Sequence, residues 1–351
     1  MRIPSLLAAT VAAVTAAGLL SGPASAAAAA PATSNVVKIP ISFTVKNTNH
    51  TDVYCEYPAD GKSYTVRGLV IGPKKAVSAG KAATLYLHAV TWTGDYFNLP
   101  IAGHNYAEEM AKRGHVSIAV DRLGYGKSDA VPGLSTCFGS EADVTHQMVQ
   151  DLKSGNYTLG TGKATKFAKV FTSGSSVGGL IANIEAYMFH DTAGVFNQSW
   201  GDFSAGPYAL QEAFDANRRC YAGGDLTGRA DYATFAADSR DKFYFASATP
   251  AVRAKTPKMQ PDPCGQLMNL PFAIGADMQR LGDITVPVLI TFGDADPVFP
   301  PPSAQQMQDR YIGSPKVTNV TIPGASHYPI LEANFPVMVN AAHTWLAQNG
   351  G

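Results

Sequence analysis

The stretch Lys169-Val170-Phe171-Thr172-Ser173-Gly174-Ser175-Ser176-Val177-Gly178-Gly179 runs from an apolar strand into a helix through the pattern G-x-S-x-G. A serine on so tight a strand-to-helix turn is lifted above the sheet, and bulky residues two positions away would collide with the strained backbone. Gly174 and Gly178 remove those collisions. The following helix aims its free N–H groups and partial positive charge at the place where an oxyanion would form. Ser176 is therefore the nucleophile candidate and the Val177 N–H a candidate oxyanion donor. A glycine-rich turn containing serines is common, so this reading depends on partners elsewhere in the chain.

The partners follow in order. The β-branched and aromatic run 286–292 leads into Gly293-Asp294-Ala295-Asp296-Pro297-Val298-Phe299-Pro300, and the alternating run 318–322 leads into Pro323-Gly324-Ala325-Ser326-His327. An order of serine, acid and histidine, each after a strand, resembles the α/β-hydrolase superfamily. Its acid loop, G-x-x-D-x-x-x-P, maps onto Gly293, Asp296 and Pro300, which favours Asp296 over Asp294 and over Asp202. His327 becomes the general-base candidate. The strand 116–120 and the loop Asp121-Arg122-Leu123-Gly124-Tyr125-Gly126-Lys127-Ser128 resemble a structural loop of the same superfamily. The strand 83–87 with His88-Ala89-Val90 resembles its oxyanion strand, with alanine where the family carries glycine. The resemblance implies a second oxyanion donor at Ala89 or Val90 and a structural role for His88. Trp92 and Tyr96, just beyond, are candidates for the substrate pocket. The other histidines (His50, His104, His115, His146, His190, His343) are assigned to surface or packing roles.

The resemblance spans roughly residues 60–345 and implies a mostly parallel sheet flanked by helices, interrupted by an inserted helical cap. Residues 36–200 and 283–351 form the expected core and 201–282 the cap, since the gap between the strand 193–199 and the acid-bearing strand far exceeds an ordinary βα connection. Within the cap, helices are expected at 208–219, 230–245 and 267–281. Its aromatics should mostly pack against the core, leaving one or two to face Ser176. Elsewhere Ser140 reads as a helix N-cap, and Ser303 with Gln306 as a capping box.

Composition sets outer limits. Residues 1–26 combine Arg2, an alanine-rich apolar stretch and the small-residue run Pro23-Ala24-Ser25-Ala26, which reads as a cleaved signal peptide followed by a flexible leader over 27–35. Removing Arg2 from 27 basic and 27 acidic side chains leaves 26 against 27, a balance with no footprint for nucleic acid. Four cysteines in an exported chain suggest two disulfides with three possible connectivities. Cys220 and Cys264 share the insertion, which favours their pairing and, by elimination, Cys55 with Cys137. No C-x-x-C or H-E-x-x-H spacing suggests a metal site, and no cofactor is implied.

The expected protein is a secreted serine hydrolase that cleaves carboxylic esters of small, apolar molecules. Peptidases, lactonases, C–C hydrolases and lyases of the same fold share its triad, and non-catalytic binding modules share its fold.

Overall fold

The computed structural model describes residues 35–225 and 228–351. The expected signal peptide, and the leader up to residue 34, lie outside the described residues. Strands β1 (Val36–Lys46) and β2 (Ser63–Pro73) form a long antiparallel hairpin pairing Val36 with Pro73 and Lys46 with Ser63. The short helix α1 (Lys74–Ala79) then leads to β3 (Ala82–Leu87). From there strands and helices alternate: α2 (Tyr106–Lys112), β4 (Ser117–Asp121), α3 (Phe138–Ser154), the short edge strand β5 (Thr158–Leu159), β6 (Lys169–Ser175), α4 (Val177–Phe189) and β7 (Val195–Gln198).

Between β7 and β10 (Val288–Gly293) the chain inserts α5 (Pro207–Tyr221), β8 (Tyr232–Ala233), α6 (Arg240–Tyr244), α7 (Pro250–Lys255), β9 (Asp262–Pro263) and α8 (Cys264–Arg280). Then α9 (Ser303–Gln308), β11 (Val317–Ile322) and α10 (Phe335–Asn349) complete the domain. The nine-stranded sheet has the order β11-β10-β7-β6-β3-β4-β2-β1-β5. Its six strands from β11 to β4 are parallel, and β2, β1 and β5 extend it antiparallel. Parallel strands buried on both faces read as continuous apolar runs, and β10 (Val288 to Gly293) is buried at every position.

Two groups of helices cover the sheet: α3, α4 and α8 pack on one another, and α2 packs against α10. Helix α8 thus has two functions. It closes the insertion, and it is also the crossover helix that returns the chain to the sheet beside β7. Among the described residues no helix is long and apolar enough to cross a membrane.

Several local expectations are corrected. The cap of α3 is Cys137, not Ser140; Ser140 stands three residues inside, and its Oγ accepts from the Cys137 N–H at 3.0 Å. Helix α9 has no capping box, because Ser303 is already helical and its hydroxyl donates to the Pro300 carbonyl at 2.6 Å. The span 230–245 is not one helix. Asp231 and Ala236 take left-handed φ values of 60° and 53°, which break it into a β8–β9 bridge and the five-residue α6. Cysteines pair Cys55 with Cys137 and Cys220 with Cys264, at Cα separations of 5.9 and 5.3 Å.

Candidate active site

Ser176 lies between the end of β6 and the first residue of α4, with φ 52° and ψ −125°, a conformation non-glycine residues rarely adopt. The surroundings enforce it. A Cβ on Gly174 would sit 2.0 Å from the Gly178 carbonyl, and one on Gly178 would sit 2.2 Å from the Leu87 carbonyl oxygen. Only two glycines let β6, the turn and β3 approach this closely. The Ser176 N–H donates to the Gln198 carbonyl at 2.7 Å, so the turn is pinned to β7 as well. Val177, the first helical residue, has an N–H with no partner within the helix.

Asp296 follows β10 and His327 follows β11, so all three groups stand beyond the carboxyl ends of parallel strands, where ligands bind in open α/β sheets. His327 Nδ1–H donates to Asp296 Oδ2 at 2.9 Å, with both side chains fully buried. Asp296 Oδ1 accepts from the N–H groups of Val298 and Phe299 at 2.7 and 3.2 Å, which fixes the carboxylate's orientation. Nδ1 is thereby the protonated nitrogen, and the buried Nε2 has no hydrogen-bond partner within the protein. Asp294 is exposed; its carboxylate accepts from the Gly324 N–H at 2.6 Å and braces the loop ahead of His327.

The imidazole of His327 is held between aromatic rings. Phe243 stacks on it with centroids 5.0 Å apart, and Phe299 tilts against it at 5.7 Å. Both phenylalanines line a cavity of about 390 Å³ together with Ser176, Val177, Val90 and residues of α5 and α8. Its walls are nearly all apolar: Ala209 and Ala213 from α5, Leu267, Leu270 and Ile274 from α8. Of the insertion's aromatics, expected to be shared between packing and pocket, Phe235 and Phe243 reach this cavity.

Two sequence expectations fail here. Trp92 and Tyr96 do not line the cavity. The chain takes a left-handed turn at Thr91 (φ 63°) and carries both rings into a buried aromatic cluster, where Trp92 stacks on Tyr244 at 5.1 Å and Tyr96 meets Tyr328 at 5.6 Å. They support the residue after His327 instead of meeting a ligand. Of the two second-donor candidates, Val90 borders the cavity. Ala89 is fully buried and does not; its carbonyl accepts from the ring of His88 at 2.8 Å.

His88 has the structural role expected of it. Its Nδ1–H donates to Ala89 and its Nε2 accepts from the Arg122 N–H at 3.0 Å, so it is neutral. Burial, with the Arg122 guanidinium nearby, holds its pKa well below the usual imidazole value. In the loop that follows β4, Asp121 accepts from the N–H groups of Gly94 and Lys127 at 2.8 and 2.7 Å. Gly126 (φ 51°) is required there, since a Cβ would lie 2.3 Å from the Asp121 carboxylate.

Two of the buried acids that escaped the sequence reading hold the insertion in place. Asp262, in β9, accepts from the Thr91 N–H at 2.7 Å, the Tyr125 hydroxyl at 2.9 Å and the Phe235 N–H at 3.2 Å. It ties the insertion to the turn that carries Val90, and burial pushes its pKa up to about 6. Glu332 accepts from Ala246 N–H at 2.8 Å, Ser247 N–H at 2.7 Å and Ser326 N–H at 3.2 Å, joining the end of α6 to the histidine loop. Neither has a sequence signature, because each serves mainly backbone N–H groups, most of them from distant segments.

The fold and this site define a class, and the comparisons agree with it. Residues 85–341 match the model of the Alpha/beta hydrolase family, and the chain belongs to that family. No curated protein is a significant match by sequence. Among solved structures, a thermophilic esterase from Thermogutta terrifontis is 18% identical with a TM-score of 0.60, covering 88% of this chain and 100% of its own. A monoacylglycerol lipase from Paleococcus ferrophilus is 18% identical (TM-score 0.57, 77% and 96%), and the enol-lactonase from Burkholderia xenovorans 15% (TM-score 0.56, 81% and 97%). At these identities the likeness is one of fold.

Proposed function

We propose that this chain is a secreted serine hydrolase that cleaves carboxylic esters of apolar acyl groups through an acyl-enzyme. The observation that carries the reading is the buried Asp296–His327 hydrogen bond, whose free Nε2 is flanked by two rings of the Ser176 cavity. In the proposed mechanism Ser176 attacks the ester carbonyl as His327 Nε2 takes its proton. Asp296 holds the imidazole tautomer and stabilises the imidazolium, and the proton passes to the leaving alcohol. The Val177 N–H, at the helix N-terminus, and the backbone at Val90 stabilise the oxyanion. Water then releases the acid by the same steps in reverse roles. The apolar walls favour an acyl chain over a charged or peptide group, each buried methylene contributing about 0.8 kcal/mol. The esterase and lipase among the structural relatives act as precedent for this chemistry on the fold. Residues 1–26 are the proposed export signal; N-terminal sequencing of protein recovered from culture medium checks it.

The decisive experiment sets Ser176→Ala beside the wild type on a panel of chromogenic esters, lactones and peptide amides. We expect ester turnover in the wild type and a loss on the order of 10⁴ or more in kcat for the variant, with its unfolding transition unchanged. Ester turnover that persists in folded Ser176→Ala refutes the nucleophile, and turnover of amides alone refutes the substrate class.

A further inference from the structure

At the far end of α4 from Ser176, three side chains from separate elements converge. We infer that His146, Glu185 and Asp191 form a binding site for one small divalent transition-metal cation of the zinc type. One ligand atom from each lies within 4.8 Å of the other two. Glu185 is fully buried, and neither of its carboxylate oxygens has a hydrogen-bond partner. A carboxylate placed so deep without donors is costly unless a cation or a proton meets it. His146 Nδ1 stands 2.9 Å from Asp191 Oδ2, in ion-pair contact, and Asp191 Oδ1 is buried and unpartnered. The unpartnered oxygens of Glu185 and Asp191 face an imidazole nitrogen across a short gap, which is what a cation would satisfy.

The donor set selects the ion. One imidazole nitrogen and two carboxylates suit zinc or a neighbouring first-row ion with a water in the fourth position, whereas calcium takes six to eight oxygens. The setting is rigid. Phe189 stacks on the His146 ring at 4.0 Å with planes 11° apart, and Gln150 and Lys153 hold Asp191 through its Oδ2 and its carbonyl. The site joins α3 (His146), α4 (Glu185) and the connection to β7 (Asp191). Glu185 is nine residues from Ser176, roughly 14 Å along the helix, so the ion braces the scaffold and takes no part in the proposed chemistry. Spacing rules overlook such a site because its ligands are 39 and 6 residues apart (185 − 146 and 191 − 185).

The test titrates chelator-treated protein with zinc chloride by calorimetry and follows thermal unfolding in parallel. We expect one ion per chain and a rise in Tm on the order of 3–8 °C at a hundredfold excess over Kd. Cobalt substitution should give a visible absorption band. Glu185→Gln should weaken binding at least a hundredfold. His146→Gln, at a partly exposed position, should do the same and stands in if the first variant does not fold. His343→Gln, which breaks a contact between two histidines outside the site (His115 Nε2 to His343 Nδ1, 2.8 Å), should leave binding intact. Absence of binding by the wild type overturns the proposal. Binding that survives both site variants, or is lost in His343→Gln, overturns it as well.

Discussion

Replacing Asp262 by alanine probes how the insertion is fastened to the turn beside Ser176. The substitution strands two buried N–H groups, Thr91 and Phe235, while the Tyr125 hydroxyl can turn to Gln266 Oε1, 3.3 Å away. Each stranded donor costs about 1–3 kcal/mol, or roughly 2–6 kcal/mol together. Against this stands the charge that alanine removes. The folded-state pKa of Asp262, about 6, is some two units above its unfolded value, and each unit is worth about 1.4 kcal/mol. An acid whose folded pKa is raised favours the folded state when protonated, and that advantage is lost as pH rises from about 4 through about 6. The penalty of Asp262→Ala is therefore largest at pH 4 and smaller by about 3 kcal/mol at pH 7. Urea unfolding of both proteins at pH 4, 5, 6 and 7 measures it, and other titrating groups cancel in the difference. A penalty that does not change with pH, or one below about 1 kcal/mol at pH 4, refutes the reasoning.

Asp296→Asn should lower kcat by roughly 10⁴ by leaving His327 in the wrong tautomer, whereas Asp294→Asn should cost less than tenfold; the opposite ranking in ester assays reverses the assignment of the acid. Ala213→Phe, which fills the α5 wall of the cavity, should shift preference towards short acyl chains by about fourfold per excluded methylene, read as the ratio of kcat/KM across an acyl series. Cys220→Ser with Cys264→Ser should cost about 2–4 kcal/mol by freeing a 44-residue loop, measured by denaturant unfolding.

What could be read from the sequence was what local sterics decide. The turn at Ser176 admits one backbone path, and both glycines it needs are visible, so the span 177–189 agrees with α4 as a helix. The choice of Asp296 over Asp294 rested on a loop pattern whose physical content is the pair of N–H groups from Val298 and Phe299 that receive the carboxylate. The insertion was legible only in its two long helices. Between them, two left-handed residues and two-residue strands carry no periodicity, so the helix expected over 230–245 does not exist. Trp92 was misassigned for a related reason: one left-handed residue, Thr91, reverses the direction of everything beyond it. Asp262 and Glu332 were invisible because most of their partners are backbone N–H groups, which have no residue identity to read, and most lie far away in sequence.

Helix α8 has a consequence for how this enzyme can change over generations. Leu267, Leu270, Pro271 and Ile274 form a wall of the cavity, and one turn beyond Ile274 the 2.9 Å bond between Asp277 and Asn183 locks the same helix to α4. Substitutions that reshape the pocket from this side act on a helix the sheet needs for its return connection, so selection for a new substrate is constrained by selection for folding. Helix α5 faces no such conflict: Leu210 and Phe214 are exposed, while Ala209 and Ala213 border the cavity. Divergence in specificity should therefore accumulate on α5, with α8 as the conserved wall against which new substrates are tried.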